Sequence, residues 1–371
     1  MSRSGAWFAA AAAAAVFPFL ASAARAVPAS AAPPARAPRD LYDDLRRELD
    51  EARRVWDERY AAARTDGERE RLCVEHPDAL FVPRFAALAA EHPGDRIALR
   101  SLVFVAVHGD QGDQLAALGP LEQDFLDAPE LALVCAAVRS TNPTAQAFLQ
   151  HALDGSPYRE VRGQACYSLA QVALEHNGGA VRGGTAQPAR RAEELLEEVV
   201  SSYADLRHSR GTLGTAAESD LYELRELVPG KLAPDIAGED VDGEPLRLSD
   251  YRGRVVVLVF WGDWSRDSRA AYAHELLLVK RMEGKPFALI GVNSDADRLA
   301  LREAVGQKGL AWRSFWDGGG TTGPIATRWN VKHWPTVYVL DQEGTIRFKN
   351  LYGRELDRAV DGLLQEPPPR N

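Results

Sequence analysis

The sequence predicts an all-helical region followed by an α/β region with a mixed sheet, and three observations carry that reading. From Asp40 to about residue 228 apolar residues recur at helical spacing, with charges between them. The periodicity stops at Pro229-Gly230, a pair that no helix continues through. Beyond it, uniformly apolar stretches alternate with helical ones in the order β-α-β and then β-β-α. With 371 residues, 46% of them apolar and 26% charged, the chain is long enough for two cores and has an ordinary soluble composition.

Residues 1–26 read as a signal peptide: Arg3 precedes an apolar run from Gly5 to Leu20, and Ala21-Ser22-Ala23 or Ala24-Arg25-Ala26 supplies the small residues before a cut. Export to the periplasm or beyond is therefore expected. The alternative, an uncleaved anchor, is disfavoured because the run is short and Pro18 interrupts it. Residues 27–38, VPASAAPPARAP, form a linker that cannot hold a helix. The helical domain is placed at 39–228. It opens with DLYDDLRRELDEARRVWDERYAAAR and continues through RIALRSLVFVAVHG, LALVCAAVRS, TAQAFLQHAL and EVRGQACYSLAQVALEH, punctuated by HPGD, Asn142-Pro143 and Gly155-Ser156-Pro157. Short helices packed in pairs are expected, α-solenoid-like but without a fixed repeat period. A glycine-rich loop, GGAVRGGTAQP, precedes the last long helix of this region.

The second domain is placed at 230–366, with residues 367–371 as a tail and the junction between Leu227 and Ala233. Asp242-Gly243 between two short extended runs signals a hairpin. VVVLVFWGD reads as a buried central strand, SRDSRAAYAHELLLVKRM as the helix after it, and FALIGVNSD as the next strand. ADRLALREAVGQKG is a helix, TVYVLD and TIRFKNLY are antiparallel strands about Gln342-Glu343-Gly344, and RELDRAVDGLLQ closes the chain. DGGGTTGP lacks the Gly-Lys-Ser/Thr ending of a phosphate loop and reads as a flexible connection before IATRWN.

This order, together with APDI and LSDYRGR, FWGDW, GVNSD, and WPTVYVLD with EGTIRF, resembles the thioredoxin fold in its exported, TlpA-like redoxin branch, over the C-terminal third of the chain only. The resemblance implies a Cys-x-x-Cys pair at the start of the helix after the tryptophan turn, where the helix N-terminus favours a thiolate. Ser265-Arg266-Asp267-Ser268 stands at that place. Serine forms no disulfide, and no cysteine follows residue 166, so dithiol exchange within this domain is chemically excluded. Two readings of SRDS remain open: simple helix capping by Ser265 with Asp267 at the positive helix end, or a turn kept as a binding surface.

For the second reading the candidate binding residues are Trp264, His333, Trp334 and Pro335, with Ser265 and Ser268 at the positions matching the family's thiols. Trp264 and Trp334 flank turns and are expected to make contacts, whereas Trp261 follows a buried strand and is expected in the core. The resemblance implies a cis peptide before Pro335 and nearby backbone free to pair with an extended peptide. His333 near Ser265 suggests a serine hydrolase, but no GxSxG elbow or oxyanion loop accompanies it. Strand position Val259, where some thioredoxins hold a buried acid, carries none, and none is evident on that strand.

Cys73, Cys135 and Cys166 lie in apolar, helix-like contexts and read as buried structural thiols. The histidines form no metal-binding motif, and no cofactor is expected. A net charge of −9 argues against nucleic acid. The expected function is therefore a protein- or peptide-binding scaffold without an enzymatic dithiol, with the family's thiol–disulfide oxidoreductase activity as the alternative.

Overall fold

The computed structural model describes residues 37–178, 186–209 and 211–366; the signal segment, nearly all of the linker, the core of the glycine-rich loop and the tail lie outside them. The N-terminal region is built from α1 (Pro38–Ala62), α2 (Asp66–Val74), α3 (Pro77–Glu91), α4 (Arg96–His108), α5 (Gln111–Phe125), α6 (Leu131–Ala137), α7 (Pro143–Gly155), α8 (Arg159–Gly178) and α9 (Ala186–Ser202). A two-residue hairpin follows, β1 (Arg207–His208) with β2 (Gly211–Thr212), and then α10 (Leu213–Glu226). The sequence breakers act as caps. Thr65 and Glu68 form a capping box on α2, Asp95 accepts from the Ile97 N–H at the start of α4, and Asn142 accepts from the Thr144 N–H with Pro143 in the first turn of α7. One apolar core runs through these helices, including Leu49, Phe85, Leu118, Leu131, Phe148 and Leu196.

The C-terminal region holds β3 (Ala237–Glu239), β4 (Pro245–Arg247), β5 (Val255–Trp261), α11 (Arg266–Arg281), β6 (Phe287–Asn293), α12 (Arg298–Lys308), β7 (Ser314–Trp316), α13 (Pro324–Arg328), β8 (Thr336–Leu340), β9 (Ile346–Lys349) and α14 (Gly353–Gln365). The sheet order is β7-β6-β5-β8-β9, with β6 parallel to β5 and β7, and β8 antiparallel to β5 and β9. This is the thioredoxin arrangement with a mixed sheet. Every residue of β5 is buried: Val256, Leu258 and Phe260 face one apolar core and Val255, Val257, Val259 and Trp261 the other. The β3–β4 hairpin turns at Gly243, whose φ of 91° suits glycine, and joins β7 through the Val241 N–H to the Ser314 carbonyl at 3.1 Å. Sequence reading missed β7, because three residues are too few to show a period of two.

Helix α10 serves both regions. Leu213, Ala217 and Leu221 sit in the helical core, whereas Tyr222 and Leu227 pack on the core of the sheet. One helical turn places Asp220 on the same inward stripe, where its buried carboxylate accepts from the Tyr167 hydroxyl at 2.9 Å, Gln171 Nε2 at 2.6 Å, Asn330 Nδ2 at 2.8 Å and Lys332 Nζ. Two of these donors belong to α8 and two to the loop before β8. Glu223 adds Asn330 and Lys349, each at 2.5 Å. The break in helical periodicity at Pro229-Gly230 is thus bridged by a shared polar joint.

The stretch DGGGTTGP, expected as a flexible connection, is a built cap. Asp317 is buried and accepts from the backbone N–H groups of Ile325 and Ala326 at 2.7 and 2.8 Å, holding the start of α13. Burial raises its pKa, opposed by those two donors.

Candidate functional site

Strand β5 delivers the chain to a tight turn, Gly262-Asp263-Trp264, and Ser265 begins α11 as its N-cap in extended conformation. Gly262 is required by the close approach of the next tryptophan: a Cβ there would lie 2.4 Å from the Trp264 indole nitrogen. The Ser265 hydroxyl accepts the Ser268 N–H at 3.3 Å and donates to the Trp334 carbonyl at 2.9 Å. The Ser268 hydroxyl accepts the Gly262 N–H at 3.5 Å. Ser265 and Ser268 are only 8% and 1% exposed, so neither hydroxyl is presented to a substrate. Capping and a tether across the turn account for both.

The peptide bond between Trp334 and Pro335 is cis, as the resemblance implied. Two other expectations for this loop need correction. Trp334 is not a contact residue on the surface: it is 9% exposed, its indole N–H donates to the buried Ser294 hydroxyl at 2.9 Å, and it joins the core on one face of the sheet. A neighbouring partner, rather than a turn, sets its burial. Nor is the backbone acceptor row free. The carbonyls of His333, Trp334 and Pro335 accept from Thr336 Oγ1 at 2.7 Å, Ser265 Oγ at 2.9 Å and the Tyr352 hydroxyl at 2.9 Å. Pro335 itself is half-buried, and His333 is exposed.

Trp264 is the aromatic that does reach solvent, at 47% exposure, with its ring centroid 5.5 Å from that of Trp334. No hydrogen bond joins His333 to Ser265 among the described residues, and Ser265 spends its proton on a carbonyl. The hydrolase reading therefore lacks its nucleophile–base pair. Trp261 is buried as expected; its indole N–H donates to Ser314 Oγ at 3.2 Å across Gly291, where a Cβ would come within 2.1 Å of that oxygen.

A polar network beside the turn was not read from the sequence. Asp263 accepts from the Tyr272 hydroxyl at 3.0 Å and from Lys308 Nζ, while its N–H donates to Asp295 at 2.8 Å. The Asp263 carbonyl accepts from Arg269 at 2.5 Å. Burial, and then the Asp263 charge, push the Tyr272 phenol up. Arg266 reaches Glu70 of α2 at 3.5 Å, an exposed contact that brings the helical region to the edge of the turn.

Strand β5 carries no acid, and a buried acid lies on α11. Glu275 is 4% exposed, and burial alone raises its pKa from 4.5 to about 7. The signal was available, because Ser268, Tyr272, Glu275 and Leu278 fall on one helical stripe, the buried one.

The three cysteines split. Cys135 and Cys166 are buried, with burial pushing both thiols up to about 12. Cys73, expected to be buried, is exposed on α2, since that short helix packs through Leu72 and leaves the next position outward. None is in a disulfide. Among the described residues no cluster fit to hold a metal ion occurs, and no helix is long and apolar enough to cross a membrane.

Residues 229–349 match the AhpC/TSA family. They form a redoxin, thioredoxin-like domain. A thiol-disulfide oxidoreductase ResA from Bacillus thuringiensis (strain Al Hakam) is 26% identical over 160 residues, covering 43% of this chain and 90% of that protein. Among solved structures, a thiol-disulfide oxidoreductase from Bacteroides fragilis NCTC 9343 is 28% identical, with a TM-score of 0.34, covering 36% of this chain and 99% of that one. A secreted thiol-disulfide isomerase from Corynebacterium glutamicum is 24% identical, with a TM-score of 0.33, covering 37% of this chain and 86% of that one. The match to the redoxin family spans the sheet and the turn but none of α1–α10.

Proposed function

We propose that this is an exported protein whose redoxin domain has lost its dithiol and works as a protein- or peptide-binding module, with Trp264 as the exposed anchor beside the SRDS turn. The observation that carries the reading is the engagement of Ser265: at the helix start where the resemblance implies the attacking thiol, its hydroxyl caps α11 and is bonded to the Trp334 carbonyl. No cysteine follows residue 166 to replace it. His333, Trp334 and Pro335 then shape the surface around Trp264, Trp334 from beneath. Export is supported by the apolar run before Ala26. Domain limits of 39–228 and 230–366 are part of the same proposal.

A second reading is favoured by one contact. Cys73, the exposed thiol, lies one turn from Glu70, which touches Arg266 at the turn. In that reading the Cys73 sulfur attacks a client disulfide, forming a mixed disulfide and releasing the client's other sulfur as a thiolate, whereas the relatives named as oxidoreductases favour full turnover. Insulin reduction with dithiothreitol separates these. The binding reading expects the uncatalysed rate, and it fails if turnover exceeds that rate and survives Cys73→Ser. Loss of such turnover in Cys73→Ser would favour the second reading. Pull-down from envelope extract with wild type and Trp264→Ala then tests the anchor.

A further inference from the structure

The redoxin domain carries a second concavity at the end of α11 opposite the turn. The helix spans sixteen residues, about 24 Å at 1.5 Å per residue, so the two places are well apart. Here β7 pairs only with Gly291–Asn293, leaving the first half of β6 without a strand on that side. An open groove of about 1010 Å³ fills the gap. Leu276 and Leu277 of α11 line it together with the largely buried Met282, Phe287, Leu289 and Trp312. Leu277 is 67% exposed, so its side chain is open to a ligand in the groove.

The rim is basic although the chain as a whole is acidic, with a net charge of −9. Arg254, Lys280 and Lys285 line the groove and are exposed, and among the described residues none forms an ion pair. Arg313, also on the rim, is neutralised by Asp240 at 2.6 Å, and Glu283 is the acid present. The wall also holds a donor without an acceptor, the buried indole N–H of Trp312. A pocket that is mostly apolar with a few convergent polar groups is how small-molecule sites are built. Here those groups are three exposed cations, the paired Arg313, the Glu283 carboxylate and one N–H without an acceptor, and the positive excess favours an anionic head.

We propose that this groove binds a single anionic amphiphile, an aliphatic chain lying along Leu276, Leu277 and Leu289 with its carboxylate or equivalent acid among Arg254, Lys280 and Lys285. This site is independent of the turn and of whatever Trp264 binds.

The test uses the full chain without residues 1–26, titrated by calorimetry with monomeric dodecanoate below its micelle concentration, and in parallel with dodecyltrimethylammonium. Dodecanoate is expected to bind and the cation not to. Lys280→Glu combined with Lys285→Glu, both at exposed positions, should weaken dodecanoate about tenfold or more. A diazirine-bearing dodecanoate should crosslink within residues 273–290 or 311–313, which fixes the location without relying on a variant. Equal binding of the cation, an unchanged affinity in the double variant, or crosslinks elsewhere would each overturn the proposal. So would binding to phosphatidylglycerol vesicles with no binding of monomeric dodecanoate, which would assign the patch to a bilayer surface instead.

Discussion

Glu275 should contribute a loss of stability as pH rises from about 4.5 to about 7. Its side chain sits on the inner stripe of α11, and the rise from 4.5 to about 7 has burial as its only cause. A carboxyl whose folded pKa is raised binds a proton in the folded state where the unfolded chain has released it. The contribution is therefore fully present below about pH 4.5, is lost progressively as pH climbs toward 7, and is gone above it. At about 1.4 kcal/mol per pKa unit, this shift is worth about 3 kcal/mol, with an uncertainty of about 1 kcal/mol. The replacement Glu275→Gln keeps the shape and removes the titration. Urea unfolding of both proteins at fixed ionic strength from pH 4.5 to 8.5 should show wild type losing about 3 kcal/mol relative to the variant across the series. Comparing the pair matters, because burial lowers the pKa of His108 and of His208, and those groups slope the other way as pH rises. Their contribution is common to both proteins and cancels. The nearby Tyr272 phenol, pushed up, stays neutral throughout. A difference between variant and wild type that stays flat within about 0.5 kcal/mol would refute the reasoning, since it would mean the carboxylate reaches water or a cation when it ionises.

Three further outcomes follow from the same geometry. Ser265→Ala removes an N-cap and the tether to the Trp334 carbonyl, so it should cost about 1–2 kcal/mol by thermal or denaturant unfolding; a neutral result would show that the cap is idle. Trp264→Ala and Trp334→Ala should behave oppositely, the first staying within about 0.5 kcal/mol of wild type in stability and the second losing about 3–5 kcal/mol, because one ring is exposed and the other buried. Equal losses, read by the same unfolding assay, would contradict that assignment. Asp220→Ala strands Lys332 and the Tyr167 hydroxyl and should cost about 3 kcal/mol, while hydrogen exchange at residues 330–334 should accelerate; unchanged exchange there would mean the joint does not hold the loop.

The sequence by itself determined what local chemistry decides. Asn142-Pro143 can only start a helix, Asp242-Gly243 turns a hairpin because Gly243 accepts positive φ, and seven apolar residues in a row make β5 a central strand whatever surrounds it. Absent thiols are also legible without a fold, and so is the cap at Ser265, since capping needs only the first turn of its own helix. Tertiary structure decided everything that depends on a partner far along the chain. Trp334 and Trp264 both flank turns, yet only Trp334 finds a buried hydroxyl forty residues away to satisfy its N–H. Asp220 and Glu275 look like ordinary charges on amphipathic helices, and their positions on the inward stripe hinted at burial. Whether each would be satisfied was not written in that stripe. Asp220 meets donors from α8 and from the loop before β8, 110 residues on at Asn330, whereas Glu275 is buried without such donors and its pKa is raised instead. Spacing along a helix fixes which face a carboxylate occupies, but only the packing of distant elements fixes what that face meets.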